Sequence, residues 1–150
     1  MISKNIIIEK IGKATTIGLA IVFSINIICM VIAILLEKDT QKSWIIELLT
    51  AIFGIIAIFD IGIGLFLKKK LLEPLFNKNQ QPDEKMLEQT IMKVTIILSA
   101  ICAAIPIYGL VIVILGACIE YLAGFTIISL AGFLFLRFRT RDFNKLMSYY

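Results

Sequence analysis

The sequence contains no histidine, and Asp, Glu, Lys and Arg together make up only 17% of its 150 residues. Without histidine, the commonest general base and a leading metal ligand are both gone. Cysteine is scarce: Cys29, Cys102 and Cys118 are odd in number and lack metal-type spacing. A free cysteine inside an apolar run behaves as a small hydrophobe, so a structural role is expected in place of redox or zinc chemistry. No glycine-rich phosphate loop and no nucleophile with a neighbouring base can be found. These absences predict a protein that is not an enzyme and that uses no cofactor and no metal.

What the chain has in excess is apolar surface. The apolar fraction is 59%, against roughly 45–50% for ordinary soluble domains. One soluble core of this size could not bury so much, whereas a bilayer can take it. The apolar residues fall into long runs. Ala14 to Leu36 carries no charge and exceeds the roughly 20 residues a helix needs to cross the hydrocarbon. Trp44 to Leu67 carries only Glu47, near its start, and Asp60, well inside. Val94 to Leu136 holds a single charge, Glu120. That run is about twice the length of one crossing, so it must fold back, and Gly116 to Glu120 is the plausible turn. The expected spans are therefore 14–36, 44–67, 94–115 and 119–136, with a loop over 68–93. Pro82, followed by Asp83 and Glu84, is a good start for the third helix. The fold class expected is all-α: a polytopic membrane protein of one domain, 1–150, with four transmembrane helices as two hairpins.

The basic start, Lys4, Lys10 and Lys13, resembles the opening of a signal peptide. The apolar run that follows outlasts the cleavable core of about 7–15 residues, so it is read as a retained first span. Lysine and arginine favour the cytoplasmic side. They cluster in 1–13, in 68–93 and in 137–150, leaving only Lys38 and Lys42 elsewhere. Both termini and the central loop are thus expected in the cytoplasm, with Trp44 and Tyr121 at the outer interface. The basic clusters are read as topology signals that meet lipid headgroups, and no nucleic-acid partner is expected. Small size and an Ile/Lys-rich composition point to a bacterial cytoplasmic (inner) membrane.

Few polar side chains interrupt the spans. Asp60 lies eight residues before Lys68, roughly 12 Å along the helix. An ionised carboxylate at that depth is expensive unless paired or hydrated, and such residues mark function by default. Counting depth from the basic ends brings Ser99, Cys102 and Ser129 to a similar level, with Ser24 and Asn26 somewhat deeper. Together they predict a small intramembrane polar or ion site. The alternative is a protonated aspartate that simply holds helices together by a hydrogen bond. Pro106 frees the carbonyl of Cys102 for another partner. Glu47 and Glu120 sit where helix dipoles favour negative charge. Small residues in stripes, Ala103 on the third span and Gly116, Gly124 and Gly132 on the fourth, are expected to pack helices closely, within one chain or between chains.

The two halves share a faint pattern. Ile46-Glu47-Leu48-Leu49 parallels Ile119-Glu120-Tyr121-Leu122, and Leu65-Phe66-Leu67-Lys68 parallels Leu134-Phe135-Leu136-Arg137. Common constraint accounts for this as well as duplication does. The stretch Ile107-Tyr108-Gly109-Leu110-Val111 resembles a helix segment in the proteolipid subunits of vacuolar-type rotary ATPases, four-helix chains that form ion-carrying rings. At the position of that family's ion-binding glutamate this chain has Ala103. The resemblance therefore implies an ion site only if Asp60 replaces the missing carboxylate. The general pattern is equally similar to small, uncharacterised four-span bacterial membrane proteins. The function expected is a non-enzymatic membrane component working through helix–helix contacts, as a homo-oligomer or with other membrane subunits. An ion- or proton-translocating subunit using Asp60 is the alternative.

Overall fold

The computed structural model describes residues 4–36, 44–76, 84–138 and 142. The order is α1 (Lys4–Leu35), α2 (Trp44–Leu72), a short 3₁₀ turn (Glu73–Phe76), α3 (Glu84–Ile114) and α4 (Ile119–Leu136). All four helices are long and apolar enough to cross a membrane. Of the expected 68–93 loop, α2 takes the start and α3 the end; its middle, 77–83, with the expected helix start at Pro82, and Lys38, Lys42, Arg139, Arg141 and Lys145 lie outside the described residues.

Three of the helices outrun their apolar segments. Helix α1 begins well before Ala14, α2 continues past Lys68, Lys69 and Lys70, and α3 starts ahead of Val94. Lys and Glu are good helix formers, so the backbone ladder continues where the hydropathy stops. Several end charges sit with the helix dipole: Glu47 and Glu120 in the first turns of α2 and α4, and Lys69 and Lys70 in the last turn of α2.

The fold-back between α3 and α4 has a definite geometry. Gly116 adopts φ +103°, a left-handed conformation that glycine enters without steric cost. Its N–H donates to the carbonyl of Val113 at 2.9 Å, and the N–H of Ala117 donates to Ile112 at 3.1 Å. This is the Schellman arrangement, with the usual apolar contact between the residue after the glycine and the last helical turn: Ala117 and Ile112 belong to one buried cluster. Gly116, expected as a packing residue, is thus a turn residue with open space beside it.

Helix α3 is the hub. It packs against all three other helices, most extensively against α1 and α4, while α1 and α2 have no extended contact. Of the two expected hairpins, only α3–α4 is a packed pair. Specific contacts give the directions. Glu88 of α3 meets Lys10, and Ser99 lies beside Gly18, so α3 runs parallel to α1. Tyr108 meets Phe53 and Leu98 lies near Gly64, so α2 and α3 are antiparallel. Gly18 lies near Phe133, and Asn26 bonds Ser129, making α1 and α4 antiparallel as well. The α3–α4 pair forms the shared middle of a rhombus, with α1 and α2 on opposite sides.

Burial follows from that plan. Half of the apolar span of α3 is buried, against 11% for α2. Helix α2 buries only a narrow stripe, Ile46, Ala57, Gly64, Lys68 and Leu72. The rest of α2 presents Ile55, Ile58, Phe59, Ile63 and Phe66 to the outside. An apolar exterior on this scale is compatible with contact to lipid hydrocarbon.

Candidate functional site

The polar side chains inside the bundle form two separate groups. The first lies between α2 and α3. The hydroxyl of Tyr108 donates to Oδ2 of Asp60 at 2.8 Å, and the Tyr108 ring stacks on Phe53 at 5.5 Å between centroids, nearly parallel. Both Asp60 and Tyr108 are partly exposed, because Asp60 sits beside, not within, the buried stripe of α2.

The second group joins α1, α3 and α4 at the centre. Pro106 lies inside α3 and has no N–H to give the carbonyl of Cys102. That carbonyl accepts instead from Oγ of Ser129 at 2.7 Å. Asn26 donates from Nδ2 to the carbonyl of Val22 at 2.8 Å and to Oγ of Ser129 at 3.3 Å. One turn away, Ser99 donates to the carbonyl of Thr95 at 2.7 Å within its own helix. Oδ1 of Asn26 and Oγ1 of Thr126 are buried and have no hydrogen-bond partner. Ser24, by contrast, faces outward.

The sequence-predicted set therefore divides. Ser129 and Cys102 meet, Ser99 lies close by with its hydroxyl turned to its own backbone, and Asp60 is hydrogen-bonded to none of them. Its partner is Tyr108. Depth counting missed this because side chains on a helix lean toward its N-terminus. Tyr108 starts opposite Phe53 and reaches back along α3 to the level of Asp60. A signal was present: a phenol inside an apolar helix needs a hydrogen-bond partner as much as a carboxylate does.

The packing residues divide similarly. Ala103 is buried. A Cβ on Gly132 would lie 3.0 Å from Cδ1 of Ile61, so that glycine seats α2. Gly124 has nothing within 4 Å and faces out of the bundle, as do Gly54 and Gly62 on α2. Approaches as close or closer fall elsewhere, among them Gly64, where a Cβ would lie 2.8 Å from Cδ1 of Leu136. At Gly18 a Cβ would come within 2.6 Å of Oγ of Ser99 and 2.9 Å of Cζ of Phe133, and at Gly109 within 3.0 Å of the Leu122 backbone. These two glycines were not singled out as packing points: Gly109 has Ile105 and Val113 four positions away, and Gly18, although it follows Ala14 by four, is the one glycine of its expected span.

One cation is also buried. Lys68, expected as a boundary marker, donates from Nζ to Oδ2 of Asp142 at 2.6 Å and to the carbonyl of Arg137 at 3.0 Å. It also lies 5.2 Å from the centroid of the Phe138 ring. The ammonium thus sits at the C-terminal end of α4, where exposed carbonyls favour positive charge.

Cys29 and Cys102 are buried, Cys118 is half-buried, and all three are free. Among the described residues no group of three His, Cys, Asp or Glu side chains could hold a metal ion.

Comparison with protein-family models, with curated proteins and with solved structures gives the same result. The chain matches none. The features of the bundle that bear on function are the Asp60–Tyr108 pair, the central Ser129 junction and the uncovered helix faces.

Proposed function

We propose that this chain is a non-enzymatic, multi-pass component of a bacterial inner membrane that works through helix–helix contacts in a larger assembly. Both termini and the 68–93 segment are cytoplasmic in this reading, and the occupants of the assembly are further copies of the chain or other membrane subunits. The observation that carries it is the position of Asp60. It lies about 12 Å from Lys68 along α2, on the edge of the bundle, partly exposed and hydrogen-bonded to Tyr108. A carboxyl group facing hydrocarbon retains unused bonding capacity, and a neighbouring helix supplies it at far lower cost than lipid. Gly54 and Gly62 on the same helix leave open notches in which a second backbone can approach closely.

The test is the mass of the protein extracted with its native lipids. The 16.8 kDa chain should run as a multiple of itself or with other membrane subunits. Asp60→Leu and Gly62→Leu should each release a monomer that remains folded. A lone monomer as the native species would overturn the assembly reading.

Ion or proton translocation is the second reading, favoured by the phenol–carboxyl pair placed within the apolar stretches of two helices and by the proteolipid-like segment around Tyr108. Asp60→Asn keeps size and hydrogen bonding but abolishes titration. Loss of pH- or cation-dependent flux in proteoliposomes of that variant would support translocation. Unchanged flux, or none in either protein, would leave assembly as the function.

A further inference from the structure

Helix α1 carries a furrow on its outer face that the assembly reading does not use. Near the start of the helix a cleft of about 340 Å³ opens between α1 and α3, rimmed by Lys10, Lys13 and Glu88 and lined by Ala14, Thr16, Ile17 and Met92. A second hollow, about 440 Å³, continues down α1 from Ile17 to Ile25, and Ile17 lines both. The sequence explains the shape. Thr16, Ala20 and Ser24 recur every four residues as a low floor, and Ile17, Ile21 and Ile25 recur beside them as a branched wall.

We propose that this furrow seats one phospholipid with an ethanolamine-type headgroup, its acyl chain lying along α1. The inference rests on the membrane reading above. Two features identify the occupant. The first is length: Lys13 to Ile25 is about 18 Å at helical rise, close to half of the roughly 30 Å hydrocarbon core, so the furrow is one leaflet deep with its charged end at headgroup level. The second is charge. Lys10 pairs with Glu88, and Lys13 pairs with Glu9 at 2.8 Å. Within these two ion pairs the charges cancel, so each rim lysine already faces a carboxylate and a net anionic headgroup gains less from it. A headgroup carrying both a phosphate and a primary ammonium meets both signs: the phosphate accepts from the lysines, and the ammonium donates to the half-exposed Glu88 carboxylate. A choline headgroup has no N–H to donate.

The test uses the full chain in nanodiscs of phosphatidylethanolamine, phosphatidylglycerol or phosphatidylcholine, with retained lipid read by native mass spectrometry. Retention of the ethanolamine lipid should exceed that of the other two roughly fivefold, the equivalent of about one near-surface charge contact. Glu88→Gln should remove its advantage over the choline lipid, and Ala20→Phe, which fills the furrow floor, should lower retention of all three. A merely structural Lys10–Glu88 bridge would change stability in every lipid alike and leave the preference intact. Equal retention, or best retention of the glycerol lipid, in an inserted protein would overturn the lipid seat alone. A chain that never enters the membrane fraction would overturn the seat and the membrane reading together.

Discussion

Asp60 and Tyr108 are each awkward alone in an apolar helix, and their 2.8 Å hydrogen bond answers both needs. Tyr108→Phe keeps the ring stacked on Phe53 but removes the donor. Unfolding in mild detergent should show a loss of about 1 kcal/mol, within the range measured for hydrogen bonds between membrane helices. Asp60→Asn, which can still accept from the phenol, should be nearly neutral for stability. Combining Tyr108→Phe with Asp60→Leu should cost less than the sum of the two single changes, and strict additivity would mean the pair is not coupled. Ser129 gives a second contrast. Ser129→Ala strips the Cys102 carbonyl of its donor and removes the acceptor for Asn26, whereas Ser99→Ala breaks only a bond within one helix. The first should lower the melting midpoint more than the second. At this scale the sequence exposes the anomalies, Asp60 and the proline-freed Cys102 carbonyl, but not every partner. Partners depend on side-chain lean and on which faces meet, and neither is encoded in distance along the chain.

Among the helices, glycines report which faces are covered. Gly132→Leu would drive a side chain into Ile61 of α2 and toward Cys102 of α3, and overpacking of that kind costs roughly 1–3 kcal/mol. Gly124→Leu meets open space and should leave the unfolding of the isolated chain unchanged. Comparable losses in both variants would show that the outward face of α4 is covered in the monomer. The number of helices, the turn near Gly116 and the apolar stretches were all readable, because hydropathy runs reflect membrane thickness directly. Helix ends were not, since α1 and α3 extend through Lys and Glu residues that hydropathy counts as breaks. Nor does a stripe of small residues reveal its occupant. Gly132 and Gly124 belong to one stripe, yet only Gly132 lies against a neighbour within the chain.

For the molecule as a whole, the bias of lysine and arginine makes orientation testable. With the three native cysteines removed, Lys78→Cys should resist an impermeant thiol reagent applied to whole cells, and Thr40→Cys should react. Labelling at position 78 would reverse the topology. The central position of α3 also bears on the order of events during synthesis. A chain is made from its N-terminus, so under the proposed membrane reading α1 and α2 would enter the bilayer before the helix that each of them packs against exists. Having no extended contact with one another, they would wait as independent spans until α3 emerged between them, and α4 would then close both flanks. Ribosomes stalled once α2 has cleared the exit tunnel, with α3 still inside it, should therefore hold two helices that cysteine cross-linking cannot join along their lengths. Stalling after α4 has cleared the exit tunnel should give cross-links from Gly18 to Phe133 and from Ile61 to Gly132. In that order of synthesis the third helix is the first against which both earlier ones can pack.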